Sequence, residues 1–296
     1  MLIGAIPASP SGQVNHKDTE DTEVLRPVPS SVPLCLRGFV AQRRRLNISG
    51  QNAEMRRNHS KETTSVKKMG LIGGLSWVST AAYYRLLNTM MNERLGGVHS
   101  AHLILESVDR QRYVDHVIRD GDEAAACDMI LKTAKSVAAG GAAFIVITCN
   151  DVHRFVPEIQ PHLDIPFLHI AEATGAEITR RQISKVALLG VRKTMEGTFY
   201  QDILGPMGIE TIVPDAIERD FVDASIMEEM VKDKFLPETR ARYIELMHTL
   251  TGRGADGIVL GCTEIPLLIS PDDIDPPAFS TTDLHCAAAV EMALAD

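Results

Sequence analysis

Two cysteines occupy matching places in this chain. Cys149 closes the run Gly141-Ala-Ala-Phe-Ile-Val-Ile-Thr-Cys149, and Cys262 closes Gly254-Ala-Asp-Gly-Ile-Val-Leu-Gly-Cys262. The runs align without gaps at an offset of 113 residues. Upstream, Lys68-Met-Gly-Leu-Ile-Gly73 aligns on Lys185-Val-Ala-Leu-Leu-Gly190 at an offset of 117. The chain therefore repeats one plan twice, a strand, helices, then a strand ending in a thiol. Paired thiols suit the inversion of a stereocentre without a cofactor, because a base must act on one face and an acid on the other. A free thiol titrates at about 8.5, and N–H donors of the following turn are expected to lower it toward neutrality. A single strand-end cysteine is ordinarily packing. Its duplication, each copy followed by a polar residue (Asn150, Thr263), points to function.

The elements that must hold these thiols alternate. Met69–Gly74, a short apolar run ending in glycines, opens the body and reads as its first strand, 79–95 as a helix, 101–108 as a strand, 121–139 as a long helix and Phe144–Thr148 as a buried strand. The alternation resumes at Val186 and ends in a helix near 283–295. Such a pattern predicts an α/β fold of parallel sheets with helices on both faces. Ligands of open α/β sheets bind beyond the carboxyl ends of the strands, where both thiols fall. Three segments are expected: a disordered extension over 1–68, a first α/β domain over 69–182 completed by a C-terminal helix over 279–296, and a second over 183–278. The extension is rich in Ser, Pro, Asn and Arg and lacks periodicity.

The formal charge of −9 is uneven. Residues 1–68 carry 11 basic and 6 acidic side chains, whereas the remainder carries 19 basic and 33 acidic. An acidic body argues against nucleic acid or an anionic membrane as partner. No apolar run approaches the roughly 18 residues of a membrane span, so a soluble, cytoplasmic protein is expected. Organelle targeting by residues 1–68 has weak support, because Asp18, Glu20, Asp21 and Glu23 are out of place in a transit peptide. Five widely spaced cysteines do not form a disulfide scaffold and suit a reducing compartment.

The motifs Gly70-Leu-Ile-Gly-Gly-Leu-Ser-Trp77, Cys149-Asn-Asp-Val-His153 and Gly261-Cys-Thr-Glu264 resemble those of the aspartate/glutamate racemase family. The resemblance covers essentially all of 69–296 and omits the extension. It implies two pseudo-symmetric flavodoxin-like domains with the active site in the cleft between them. It also implies a two-base mechanism independent of PLP or any other cofactor, an amino-acid substrate, and a homodimer. Carried over, Cys149 and Cys262 match the catalytic positions. Leu75, Asn150, Asp151 and Thr263 match substrate-binding positions. Lys232, thirty residues before Cys262, falls where some aspartate racemases place a lysine facing the side-chain carboxylate. The family usually has Thr where Asp151 stands. An acidic group there repels an anionic substrate unless Lys232, Arg192 or Lys193 offsets it. Glu264 fits aspartate-type and broad-specificity members, so aspartate or a broad substrate range is expected over strict glutamate racemization.

Other constellations read more plainly. His153 lies one helical turn after Cys149, but a zinc site would need further ligands nearby, and no metal is expected. Gly70-x-x-Gly-Gly lacks the rest of a phosphate-loop motif. Asp109 either orients an ammonium group or caps the next turn. Trp77, Tyr83 and Tyr84 read as packing, and Cys127 and Cys286 as core. Two alternatives stand beside the racemase. One is a related cysteine-dependent isomerase or decarboxylase of dicarboxylic acids. The other is a non-catalytic protein that binds a small ligand between its domains.

Overall fold

The computed structural model describes residues 66–295, so all but the last three residues of the expected extension lie outside it. Those three run against the end of the chain: the Lys67 N–H donates to Ala293 O at 2.9 Å.

The first half begins with β1 (Met69–Gly73), α1 (Trp77–Leu95) and β2 (Leu103–Ser107). A short helix α2 (Arg110–Val114) runs on into a π-helical turn over Asp115–Arg119. Then come α3 (Glu123–Ala139) and β3 (Phe144–Ile147), a 3-10 turn over Asp151–Phe155, and α4 (Val156–Ile159). Next are α5 (Ile170–Arg180) and β4 (Lys185–Leu189), then α6 (Arg192–Glu196) and α7 (Phe199–Leu204). The chain continues through β5 (Glu210–Ile212), α8 (Ala216–Glu228), a 3-10 turn over Met230–Lys232 and α9 (Pro237–Gly252). It closes with β6 (Gly257–Leu260), α10 (Ile265–Leu268), β7 (Ala278–Ser280) and α11 (Thr281–Leu294). Helix starts follow local chemistry. The Ser76 and Asp122 side chains cap α1 and α3, Asp215 and Glu218 form a capping box on α8, and Pro237 opens α9. Among the described residues no helix is long and apolar enough to cross a membrane.

Two parallel sheets result, ordered β2-β1-β3 and β5-β4-β6-β7. The first gains a fourth position through an isolated parallel bridge between Ile145 and Phe167. The internal repeat survives at the level of register. Met69 pairs with Phe144, and Val186 pairs with Gly257, the same two offsets seen in the sequence. Single hydrogen bonds repeat too: Thr148 N donates to Ile72 O at 3.0 Å, and Gly261 N to Leu189 O at 2.6 Å. Gly141 and Gly254, which open the two cysteine-bearing runs, have φ of +83° and +91°, a backbone region that strains any residue with a Cβ. The fold is thus α/β, with two flavodoxin-like domains.

Each sheet is covered on both faces. The first lies between α3 (Ile130, Ala134, Val137) and the pair α1 and α11 (Tyr83, Leu87, Met91; Ala289, Val290, Ala293). The second lies between α8 and α9 (Val222, Ile226, Tyr243, Met247) and the pair α5 and α7 (Ala171, Ile178, Tyr200, Leu204). Strands buried on both faces read as continuous apolar runs, which is how β1, β3, β4 and β6 appear in the sequence. Two helices change sides. By packing, α5 belongs with the second sheet although it precedes residue 183, while α11 follows the second sheet and packs on the first.

Candidate active site

Both thiols sit just past the carboxyl ends of central strands, Cys149 after β3 and Cys262 after β6. They line one cleft of about 800 Å³ between the two sheets. The glycine-rich loop after β1 forms part of its wall. Gly74 takes φ +83°, and a Cβ there would come within 2.1 Å of Val108 O. The Thr80 hydroxyl accepts from Gly74 N–H and meets the Thr148 hydroxyl, both at 3.0 Å, so the loop is tied to the end of β3. This places Leu75, Arg110, Cys149, Asp151, Cys262 and Thr263 on the same cavity.

The surroundings of the thiols overturn one expectation. Backbone N–H groups do reach them, from Val152 to Cys149 and from Glu264 to Cys262, and each favours the thiolate. Burial outweighs these donors. The Cys149 thiol is pushed up to about 12, first by burial, then by the charges of Asp151 and Glu264, with Arg110 opposing. Cys262 is held well above the usual thiol range by burial, by the Glu264 charge and by its hydrogen bond to that carboxylate. Both shifts favour the protonated thiol over the thiolate.

Asp151 is buried, and its charge is matched from a direction the sequence reading did not consider. Tyr113 donates to Oδ2 at 2.6 Å, and Arg154, one helical turn on, pairs with Oδ1 at 2.6 Å. Arg154 also bonds Glu123 Oε2 at 2.6 Å, and Glu123 Oε1 receives Lys193 from the other half at 2.8 Å. The counter-charge is therefore Arg154, not Lys232, Arg192 or Lys193. Lys232 is exposed in its 3-10 turn and does not line the cleft, although its neighbour Val231 does. Asn150 lines the cleft, but its amide is engaged elsewhere: Nδ2 donates to Thr281 at 3.0 Å, and Oδ1 accepts from Tyr200 at 2.6 Å. It joins the halves more than it offers a free donor.

Glu264 is the residue whose contact the sequence did not foretell. It is 2% exposed. Its Oε2 accepts from the Cys262 thiol at 3.1 Å and from the Thr263 hydroxyl at 2.9 Å, while its Oε1 has no hydrogen-bond partner. Arg110 also lines the cleft, with no motif in the sequence to mark it. Its guanidinium donates to Leu75 O and to the Met227 sulfur, with no carboxylate partner among the described residues. Asp109, left open between two roles, caps α2 through Gln111 N–H at 3.0 Å.

Behind Cys149 lies a buried cluster of imidazoles. His153 Nδ1 donates to Cys149 O at 2.8 Å, and its ring meets those of His169 and His285 at 4.8 and 5.4 Å between centroids. Burial lowers all three, His169 and His285 to about 4. Among the described residues no group of His, Cys, Asp and Glu is placed to hold a metal ion. Three packing expectations fail, the first at Tyr84, which is 53% exposed. Trp77 is 62% exposed, and Cys127 is only half-buried, with Sγ 3.6 Å from Glu158 Oε2. Tyr83 and Cys286 are core, as read.

Residues 72–289 match the Asp/Glu/Hydantoin racemase family, and the chain belongs to it. It is similar to a Yersinia pestis protein of the Asp/Glu racemase kind, with 40% identity and a TM-score of 0.72 over 77% of this chain and 100% of that one. An aspartate racemase homologue from Pyrococcus horikoshii gives 27% identity and a TM-score of 0.67, over 77% and 99%. The broad specificity amino-acid racemase RacX of Bacillus subtilis is 25% identical over 77% of this chain and 98% of its own length. Family and fold together make the protein an isomerase of the racemase class.

Proposed function

We propose that this protein is a cofactor-independent amino-acid racemase of broad range in which Cys149 and Cys262 exchange protons with the two faces of the α-carbon. One observation carries the reading: two thiols at register-equivalent strand ends open into one cleft. Arg110, a lining cation without a carboxylate partner among the described residues, suits a substrate carboxylate. The unpartnered Glu264 Oε1 suits the ammonium.

The resting thiols must be activated. At Cys262 the acceptor is in place, since the S–H already points at Glu264 Oε2. Transfer of that proton leaves a thiolate, and the incoming ammonium offsets the charges that otherwise disfavour it. The thiolate removes the α-proton, and the Cys149 thiol returns its own proton from the opposite face. The turnover ends with a Cys149 thiolate, a Cys262 thiol and the activating proton on Glu264; loss of that proton to solvent and uptake of one by Cys149 restore the resting state, while the reverse direction starts from the Cys149 thiolate directly.

The test is incubation of L- and D-amino acids with the protein in deuterium oxide, without added cofactor. Deuterium at the α-position and loss of optical rotation from both enantiomers are expected. Retained binding with no exchange would instead favour the ligand-binding alternative.

A further inference from the structure

We propose that Tyr200 and Thr281 are positioning residues that set the span between the two thiols. The inference rests on the racemase reading, since only a reaction at two opposed faces of one carbon needs that span held.

One unbroken line of hydrogen bonds joins the two cysteine-bearing segments. The Tyr200 hydroxyl donates to Asn150 Oδ1 at 2.6 Å, Asn150 Nδ2 donates to the Thr281 hydroxyl at 3.0 Å, and that hydroxyl donates to Leu260 O at 2.8 Å. Asn150 follows Cys149 directly, and Leu260 ends β6 two residues before Cys262. The direction of the line is set from one end. Leu260 O only accepts, so the Thr281 proton goes to it, Asn150 must donate to Thr281, and its oxygen faces the Tyr200 proton. All four residues are buried, where solvent does not make good a lost bond.

The line crosses between the halves twice. Tyr200 lies on α7 with its ring in the core of the second sheet, beside Ile178, Leu204 and Val259, and its hydroxyl reaches the turn after β3 of the first. Thr281 opens α11, which packs on the first sheet, and its hydroxyl returns to β6 of the second. Thr263, which stands after Cys262 as Asn150 does after Cys149, makes no such tie, because its hydroxyl is engaged by Glu264 at 2.9 Å. Neither Tyr200 nor Thr281 lines the cleft, so both act through Asn150 and Leu260 and not on the substrate. Inversion needs the two sulfurs held on opposite faces of the α-carbon, and a misplacement of about 1 Å at a reacting group costs about a hundredfold in rate.

The test compares the full chain with its Tyr200→Phe, Thr281→Val and Thr281→Ser variants in deuterium oxide, starting from one enantiomer of an amino acid that the unmodified protein racemizes. Two rates are read: deuterium in the product enantiomer, which reports inversion, and deuterium in recovered substrate, which reports return of a proton to the face it left. Tyr200→Phe and Thr281→Val are expected to lower kcat for inversion by about tenfold to a hundredfold, to leave KM within about twofold, and to raise the ratio of return to inversion several-fold. Thr281→Ser keeps the hydroxyl and should stay within about twofold of the unmodified protein in both rates. Combining Tyr200→Phe with Thr281→Val should cost little more than the worse single change, because either one breaks the same line. A merely structural role lowers the folded fraction, and with it both rates, so the ratio does not move. An unchanged ratio, or fully additive losses in the double variant, would overturn the positioning role and leave the racemase reading standing. No exchange of any amino acid by the unmodified protein would overturn the racemase reading itself, and the span would then have no reaction to serve.

Discussion

The two cysteine-bearing turns share a backbone and differ in chemistry. Strand register and the hydrogen bond that closes each strand end are equivalent in β1–β3 and β4–β6. The carboxylates that follow the thiols behave differently. Asp151, two residues after Cys149, is drawn aside by Tyr113 and Arg154. Glu264, two residues after Cys262, bonds the thiol itself. The shared backbone thus sets where the thiols sit, and the side chains around them give each its own proton environment.

The largest expected effect tests whether the halves are equal partners at all. Cys149→Ala and Cys262→Ala are each expected to lower racemization by about a thousandfold or more. A variant retaining a tenth of the activity would show that its thiol is dispensable. Next is the stability of the first turn. Arg154→Met leaves Asp151 buried beside a tyrosine, at a cost of about 3–5 kcal/mol. Adding Asp151→Asn is expected to recover much of this in urea denaturation. No recovery would mean that Arg154 acts through its stacking on Phe155, 4.1 Å from the ring centroid.

The histidines behind Cys149 have no counterpart described behind Cys262, so acid is expected to loosen the first turn. Their folded values lie below the unfolded value of about 6.5. The stability they contribute is complete above that pH and is lost as pH falls toward about 4, the value of His169 and His285. Thermal denaturation from pH 7 to 4 should therefore show a falling Tm, less steep in His285→Gln. The two thiols act in the opposite window. Cys149, raised to about 12, stabilises below about 8.5 and loses its contribution as pH rises toward 12.

Glu264→Gln sharpens the comparison on the second turn. Enantiomers have equal free energy, so kcat/KM must stay equal in the two directions. The asymmetry has to appear in isotope effects. A fall of about tenfold in rate is expected, with a larger α-deuterium effect for the enantiomer that Cys262 deprotonates. Equal effects would mean that Glu264 does not tune that thiol. The smallest effect belongs to Lys232→Ala, for which kcat/KM should stay within about twofold for every substrate.

Much of this was legible in the sequence. The paired strands, their shared offsets and the two thiols followed from the aligned runs, because buried parallel strands carry continuous apolar segments. The wall built by α2 was not legible. A five-residue helix passing into a π-helical turn shows no periodicity, so Arg110 and Tyr113 went unnoticed. Lys232 failed for a related reason: spacing from a cysteine places a residue along the chain but does not say which way a 3-10 turn points it. The thiol environment is not legible either, because donors show in a motif, whereas the depth of burial depends on packing across both halves.

The exchange of α5 and α11 has a consequence for how the molecule forms. Each helix completes the core of the sheet on the other side, so neither half of the chain holds all the parts of its own interior. One face of the first sheet is completed only by a helix some two hundred residues further along the chain. Folding therefore demands closure of long loops before its rewards arrive. Unfolding is expected to be a single cooperative event across both sheets, and the clasped helices keep the two thiols on one cleft for as long as the chain is folded.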